Sequence, residues 1–203
     1  MRPLRRPQGY VFRTMGGGRR GASNNEVALQ NRYWPTKVCY GCGPANAAGL
    51  QLKSFVAEAG AAPIVAEALW TPKTEHVALP GIVNGGVLST VLDCHSNILA
   101  AFAVMRARGG ADKLPSMTVT AQLNVKFAKP APMRPLRVVA AVDHSRLDGV
   151  KGKVWVTAFV VPAVATEDES PALLGSRDAL LALSQAACAT CDGLFVALRE
   201  SKS

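Results

Sequence analysis

The chain has 203 residues, 49% of them hydrophobic, and a formal charge of +9. That length and apolar content suit one domain with a single sizeable core. Arg2, Arg5, Arg6, Arg13, Arg19 and Arg20 carry six of the positive charges, and the remaining 17 basic residues face 14 acidic ones, so the body of the chain lacks the broad basic patch of a nucleic-acid-binding protein.

The first 37 residues read as a basic N-terminal tail. No acidic residue precedes Glu26 and no long apolar run is present, which excludes a secretory signal. Two readings stay open: a transit peptide, which would direct the protein to a mitochondrion or plastid, or a plain tail on a cytoplasmic protein. Met15 also leaves room for an internal start. The longest apolar run, Val87 to Met105, is interrupted by Asp93, His95 and Asn97, which argues against a membrane span.

Beyond the tail, "VCYGCGPANAAGLQLKSF" is a Gly- and Pro-rich loop leading into a strand around Leu50 to Glu58. A second strand near Ile64 to Trp70 ends at Thr71-Pro72, because proline cannot continue a ladder. "KTEHVALPG" is a loop, and Gly85-Gly86 opens a helix. From Val87 the apolar residues Leu88, Val91, Leu92, Ile98, Leu99, Phe102 and Met105 recur at helical spacing until "RARGG", about 22 residues or roughly 33 Å. In "SMTVTAQLNVKFAKP", Val119, Ala121, Leu123, Val125 and Phe127 alternate with polar residues, predicting a strand with that face buried. "PLRVVAAVDHS" and "KGKVWVTAFVV" are the next strands, joined by a turn at Leu147-Asp148-Gly149. An acidic insertion near 162–185 precedes a last strand in "AACATCDGLFVALRE". One long helix among local antiparallel strands predicts an α+β domain over 38–200 whose curved sheet wraps the helix.

Five cysteines without a secretion signal point to reduced thiols. "CYGC" (Cys39, Cys42) and "CATC" (Cys188, Cys191) have metal-ligand spacing, but a four-thiolate zinc site would require the pairs to meet. "CYGCG" has the form of a knuckle turn, whereas residues three apart on the last strand point to opposite faces. These cysteines are therefore expected to pack, with no metal or cofactor.

Asp93 shares a helical face with Ser89, Thr90, Ser96 and Asn97, giving an apolar helix one polar stripe. A carboxylate is costly in such surroundings unless it is paired or used. Gly85 and Gly86 leave the N–H groups at the helix start unobstructed, and those groups, with the dipole behind them, can hold a developing oxyanion. Asp93, two turns on, can orient water towards the same spot.

"PGIVNGGVLSTVLDCHSN", together with "TVTAQLNVKFAKPAPMRPLRV", resembles the hotdog-fold acyl-CoA thioesterases of the PaaI-like and THEM-like group. The "CxxCGPxNxxGL" loop and the terminal "CATCxGxF" resemble features of a PaaI-like subgroup. The resemblance implies a hotdog fold, Asp93 as general base or nucleophile, a Gly86 backbone oxyanion site, and Thr120 near Asp93 of a partner subunit. It also implies acyl-CoA as substrate, substrate-binding roles for Asn84, Gly85 and Asn97, and a homodimer or homotetramer. Asn84 replaces the His found in many members; it can donate and accept hydrogen bonds but takes up no proton near neutral pH. A non-catalytic acyl-CoA-binding or assembly subunit is the alternative, while a hydratase would call for a His paired with a carboxylate. His76 is expected as a solvated loop residue, His95 on a different helical face from Asp93, and Cys94 in packing. Lys126, Lys129, Arg134 and Arg137 are available to phosphates or to solvent.

Overall fold

The structure, a computed structural model, describes residues 27–57, 64–110, 115–163 and 176–198. Two short segments open the fold, α1 (Leu29–Tyr33) and β1 (Phe55–Ala57), followed by β2 (Val65–Trp70). A 3₁₀ turn at Thr74–His76 leads to a small hairpin of β3 (Val77–Leu79) and β4 (Ile82–Val83), and then to the long helix α2 (Gly85–Ala107). The strands β5 (Thr118–Phe127), β6 (Leu136–Asp148) and β7 (Lys153–Pro162) follow, then α3 (Arg177–Ala186) and β8 (Ala189–Ala197).

Asn84 caps α2, its side chain accepting from the N–H groups of Gly86 and Val87. At the other end the N–H of Gly110 returns to the Met105 carbonyl, with Gly109 at φ +68° supplying the left-handed step that ends the helix. Between these ends α2 is buried on most sides, from Leu88 and Val91 to Ala103 and Val104. It is long and apolar enough to cross a bilayer, yet 67% of its most apolar window is buried inside the domain. Most of the apolar surface is covered by protein.

The cover is a six-stranded antiparallel sheet in the order β1-β2-β6-β7-β8-β5, and α2 packs against five of its strands. Along β6, Val138, Ala140 and Val142 join the core around α2, while Val139 and Ala141 pack with Leu180 and Leu183 of α3 on the opposite side. The unbroken apolar run "VVAAV" therefore reflects a strand buried on both faces. The result is the α+β hotdog architecture, a long central helix held in a curved antiparallel sheet.

Several local expectations change. The first strand starts only at Phe55, because Leu50 to Ser54 are held in a tied loop, where Leu50 donates its N–H to the Tyr40 carbonyl and accepts from Trp70 Nε1; Glu58 lies outside the described residues. The turn expected at Leu147 falls at Gly149–Gly152, since Leu147 and Asp148 still pair with Val154 and Lys153. Part of the stretch expected to be an insertion is α3, whose start Ser176 caps and whose leucines cover the sheet. The domain begins before residue 38: Leu29 is buried, and Gln30 exchanges hydrogen bonds with the Ser54 hydroxyl and N–H at 2.9 Å each. The basic stretch before residue 27 lies outside the described residues.

The buried face expected on β5 is also corrected. Val119 and Phe127 are 45% and 55% exposed, and only Leu123 and Val125 of that set pack on the core. Two causes act together: β5 is an edge strand, and its register against β8 shifts between Thr120 and Gln122, breaking the strict alternation.

Candidate active site

Asp93 and Asn97 lie four residues apart on α2, about 6 Å along its axis. Thr120 and Thr118 lie two apart on β5, about 7 Å along the strand. The near match lets two helix residues meet two strand residues. The Thr120 hydroxyl donates to Asp93 Oδ1 at 2.6 Å, and the Thr118 hydroxyl donates to Asn97 Oδ1 at 2.9 Å. Asn97 Nδ2 donates in turn to Thr120 Oγ1 at 3.4 Å. The donors thus run in one direction, from Thr118 through Asn97 and Thr120 to the carboxylate. Thr118 is buried, Asp93 and Asn97 are half-buried and Thr120 is exposed, so the row climbs from the core to the surface.

Within the single chain, Thr120 meets Asp93 of its own subunit. Asn97, expected to bind substrate, spends both ends of its amide on the two threonines.

At the start of α2, Asn84 Oδ1 accepts from Gly86 N–H at 2.8 Å and from Val87 N–H at 3.3 Å. The N–H singled out as an oxyanion donor thus has an acceptor in its own cap. Gly86 is exposed, while the Phe127 ring lies 3.4 Å from where a Cβ on Gly85 would sit. Hydrogen bonds from Val83 to Ala131 and from Met133 to Gly81 tie the β3–β4 hairpin to the β5–β6 connection, which fixes where Asn84 stands.

The remaining polar residues of the stripe separate. Ser96 is fully buried, 3.7 Å from the Cys191 sulfur, so it leaves the face of Asp93 for the core. Burial raises the Cys191 thiol to about 11. His95 is fully buried between Ser54 Oγ at 2.8 Å and the Ala66 carbonyl at 3.1 Å. Because a carbonyl only accepts, Nε2 carries the proton and Nδ1 accepts from Ser54. Burial pushes His95 down to about 4, which keeps it a neutral core residue. His76, expected in solvent, is buried: it stacks on Trp70 at 5.3 Å and its Nδ1 accepts from Lys73 N–H at 3.0 Å. Of the basic residues, Arg137 pairs with Glu67 and Lys129 donates to the Gln185 carbonyl, while Lys126 and Arg134 are exposed.

The two cysteine pairs do not form a common cluster among the described residues. Instead Cys39 and Cys42 are joined by Cys94 of α2, with their three sulfurs within 4.8 Å of one another. The knuckle-like turn was readable, but its third member stands 52 residues beyond Cys42 and only the packing of the loop on α2 identifies it.

No known family profile and no curated protein matches the sequence. Solved structures resemble its fold. A thioesterase superfamily protein is 20% identical over 78% of this chain and 60% of its own, with a TM-score of 0.51. A phenylacetic acid degradation-related protein from Ralstonia eutropha JMP134 is 15% identical over 83% of this chain and 98% of its own, with a TM-score of 0.50. A thioesterase superfamily protein from Shewanella loihica PV-4 is 25% identical over 66% and 84%, with a TM-score of 0.44. The chain shares the hotdog fold of the first two of these structures, the fold implied by the sequence resemblance.

Proposed function

We propose that this chain hydrolyses acyl-CoA thioesters to free acid and CoA. The observation that carries the reading is the Asp93 carboxylate, half-buried, aimed by the Thr120 hydroxyl and set on the helix that begins at Gly85-Gly86. With Oδ1 engaged by Thr120, Oδ2 is the oxygen that takes a proton from water. The hydroxide adds to the thioester carbonyl, the resulting oxyanion is held at the Gly86 N–H, and the thiolate of CoA leaves with the proton returned by Asp93. Asn84 has to yield its hydrogen bond to Gly86 for that step, or hold the carbonyl with its own amide N–H.

Gly86 and Asp93 are seven residues apart, about 10 Å along the helix. A span of that size accommodates a carbonyl and an attacking water between donor and base, which favours a general base over direct attack by the carboxylate. The edge strand β5 exposes Val119 and Phe127 beside the site, and a second copy pairing along it would cover both, as the expected homodimer requires.

The test is thiol release from short, long and aromatic acyl-CoAs by the protein and by Asp93→Asn. Turnover that falls at least about 100-fold in the variant, with folding and oligomeric state retained, is the expected result. Acyl-CoA binding without turnover in either form would overturn it. That outcome would establish the second reading, a non-catalytic acyl-CoA-binding subunit, which the engagement of Gly86 N–H by Asn84 favours.

A further inference from the structure

We propose that Cys39, Cys42 and Cys94 bind a zinc ion that pins the 39–52 loop to the central helix. The three sulfurs lie within 4.8 Å of one another, and Cys39 Sγ is 3.7 Å from Cys94 Sγ. A tetrahedral zinc ion with Zn–S bonds of about 2.3 Å has S···S edges of about 3.8 Å. One edge already has that length. With all three sulfurs within 4.8 Å, no pair has to close by more than about 1 Å to reach it.

The chain around the sulfurs is arranged for this approach. In the "CYGCG" turn the Gly43 N–H donates to the Cys39 carbonyl at 2.9 Å, folding Cys39 and Cys42 towards one side. A Cβ on Gly41 would overlap the Cys94 sulfur, and one on Gly43 would overlap the backbone of Cys39. Glycine at these two positions is therefore what lets the turn close and lets it reach α2. The loop is tied independently of the sulfurs. Leu50 N–H donates to Tyr40 at 2.7 Å, Leu52 N–H to Gly41 at 3.1 Å, and Gln51, held at φ 54°, sends its amide to the Gly43 carbonyl at 3.0 Å. The ligand atoms are thus held close together by the protein itself.

Thiolates select soft cations such as zinc over magnesium or manganese. Cys42 and Cys94 are buried whereas Cys39 is half-buried, so the fourth coordination position opens on the Cys39 side and takes a water. On binding, the three thiols release their protons to solvent and the zinc tris-thiolate carries a charge of −1. A disulfide is the competing fate of two close cysteines. It would draw one pair to about 2.05 Å and leave the third thiol behind, whereas a metal uses all three. Cys94 adjoins Asp93, so the same ion would fix the rotation of α2 at the candidate site. The zinc inference rests on the sulfur geometry and stands apart from the thioesterase reading.

The protein, produced with zinc supplementation, is expected to carry one zinc per chain by elemental analysis. Cys94→Ser and Cys39→Ser are expected to reduce this to near zero, and Cys188→Ser to leave it unchanged. Cobalt titration of the reduced, chelator-treated wild-type chain reads the site without a variant. Thiolate-to-cobalt charge-transfer bands and intense tetrahedral visible bands, saturating at one equivalent and displaced by zinc, are expected. Absence of stoichiometric zinc together with absence of those bands in the folded protein would overturn the proposal. So would a Cys39–Cys94 disulfide, seen by mass spectrometry in protein freshly isolated under native conditions.

Discussion

The Thr120 hydroxyl donates to Asp93 Oδ1 at 2.6 Å, joining the edge strand of the sheet to the central helix at the surface. Removing this donor while keeping the shape tests whether it aims the carboxylate. Thr120→Val is expected to lower kcat for thioester hydrolysis about 10–100-fold, and Thr120→Ser to retain most of it. Asn97→Ala, which removes the group that turns the threonine, is expected to have a smaller effect in the same direction. In the Thr120→Val background Asn97→Ala should add little, because the two residues act through one hydrogen bond. Steady-state kinetics on the parent and the four variants checks this, and equal kcat for Thr120→Val and the parent would remove the orienting role.

Asn84 holds two N–H groups at the start of α2. Asn84→Ala is expected to cost about 1 kcal/mol, a fall in Tm of about 3 °C, while Asn84→Asp and Asn84→Ser keep the cap and most of the stability. Thermal unfolding of the three variants is the measurement. An unchanged Tm in Asn84→Ala would mean that water satisfies the helix end equally well.

His95 joins α2 to the loop and to β2 through Ser54 and Ala66, with no exposure to solvent. Replacing it by Leu keeps a buried side chain but leaves the Ser54 hydroxyl and the Ala66 carbonyl without this partner. The expected loss is about 2–4 kcal/mol, read as a lower urea midpoint at unchanged slope. Gln30 and Ser54 belong to the same network, so Ser54→Ala in the His95→Leu background should cost less than it does alone.

Cys191 is 1% exposed, and burial raises its thiol to about 11. At pH 8 about one molecule in a thousand carries the thiolate that reacts. Iodoacetamide at pH 8 is therefore expected to leave Cys191 unlabelled in the folded protein and to label it fully in urea, as read by peptide mass spectrometry. Because the thiolate is the reactive form, native labelling should rise with pH towards 11 if the fold persists. Rapid native labelling at pH 8 would show that the strand opens locally.

Which residues of the candidate site share a face was legible from the chain alone, because that depends on short sequence separations. Helical spacing put Asp93 and Asn97 on one face, and strand spacing put Thr118 and Thr120 on another. Their meeting across 27 and 21 residues was not in the spacing. The resemblance implied Thr120 near Asp93 of a partner subunit, and the packing of α2 on β5 supplied the pairing within the chain and the direction of the hydrogen bonds. Ser96 was misplaced for a related reason. It borders the polar stripe by angle, but the sheet curves far enough round the helix to bury it against Cys191.

The central helix and the long strands follow from the sequence itself, since periodicity acts locally and needs no knowledge of what packs where. Tertiary structure decided the rest. It made β5 an edge, with Val119 and Phe127 open, and covered the other side of β6 with α3. It took His76 and His95 out of solvent and drew Cys94 to a pair of cysteines more than fifty residues earlier. Each of these outcomes depends on which face of an element is covered by chain distant in sequence, and that is settled only when the sheet closes around the helix.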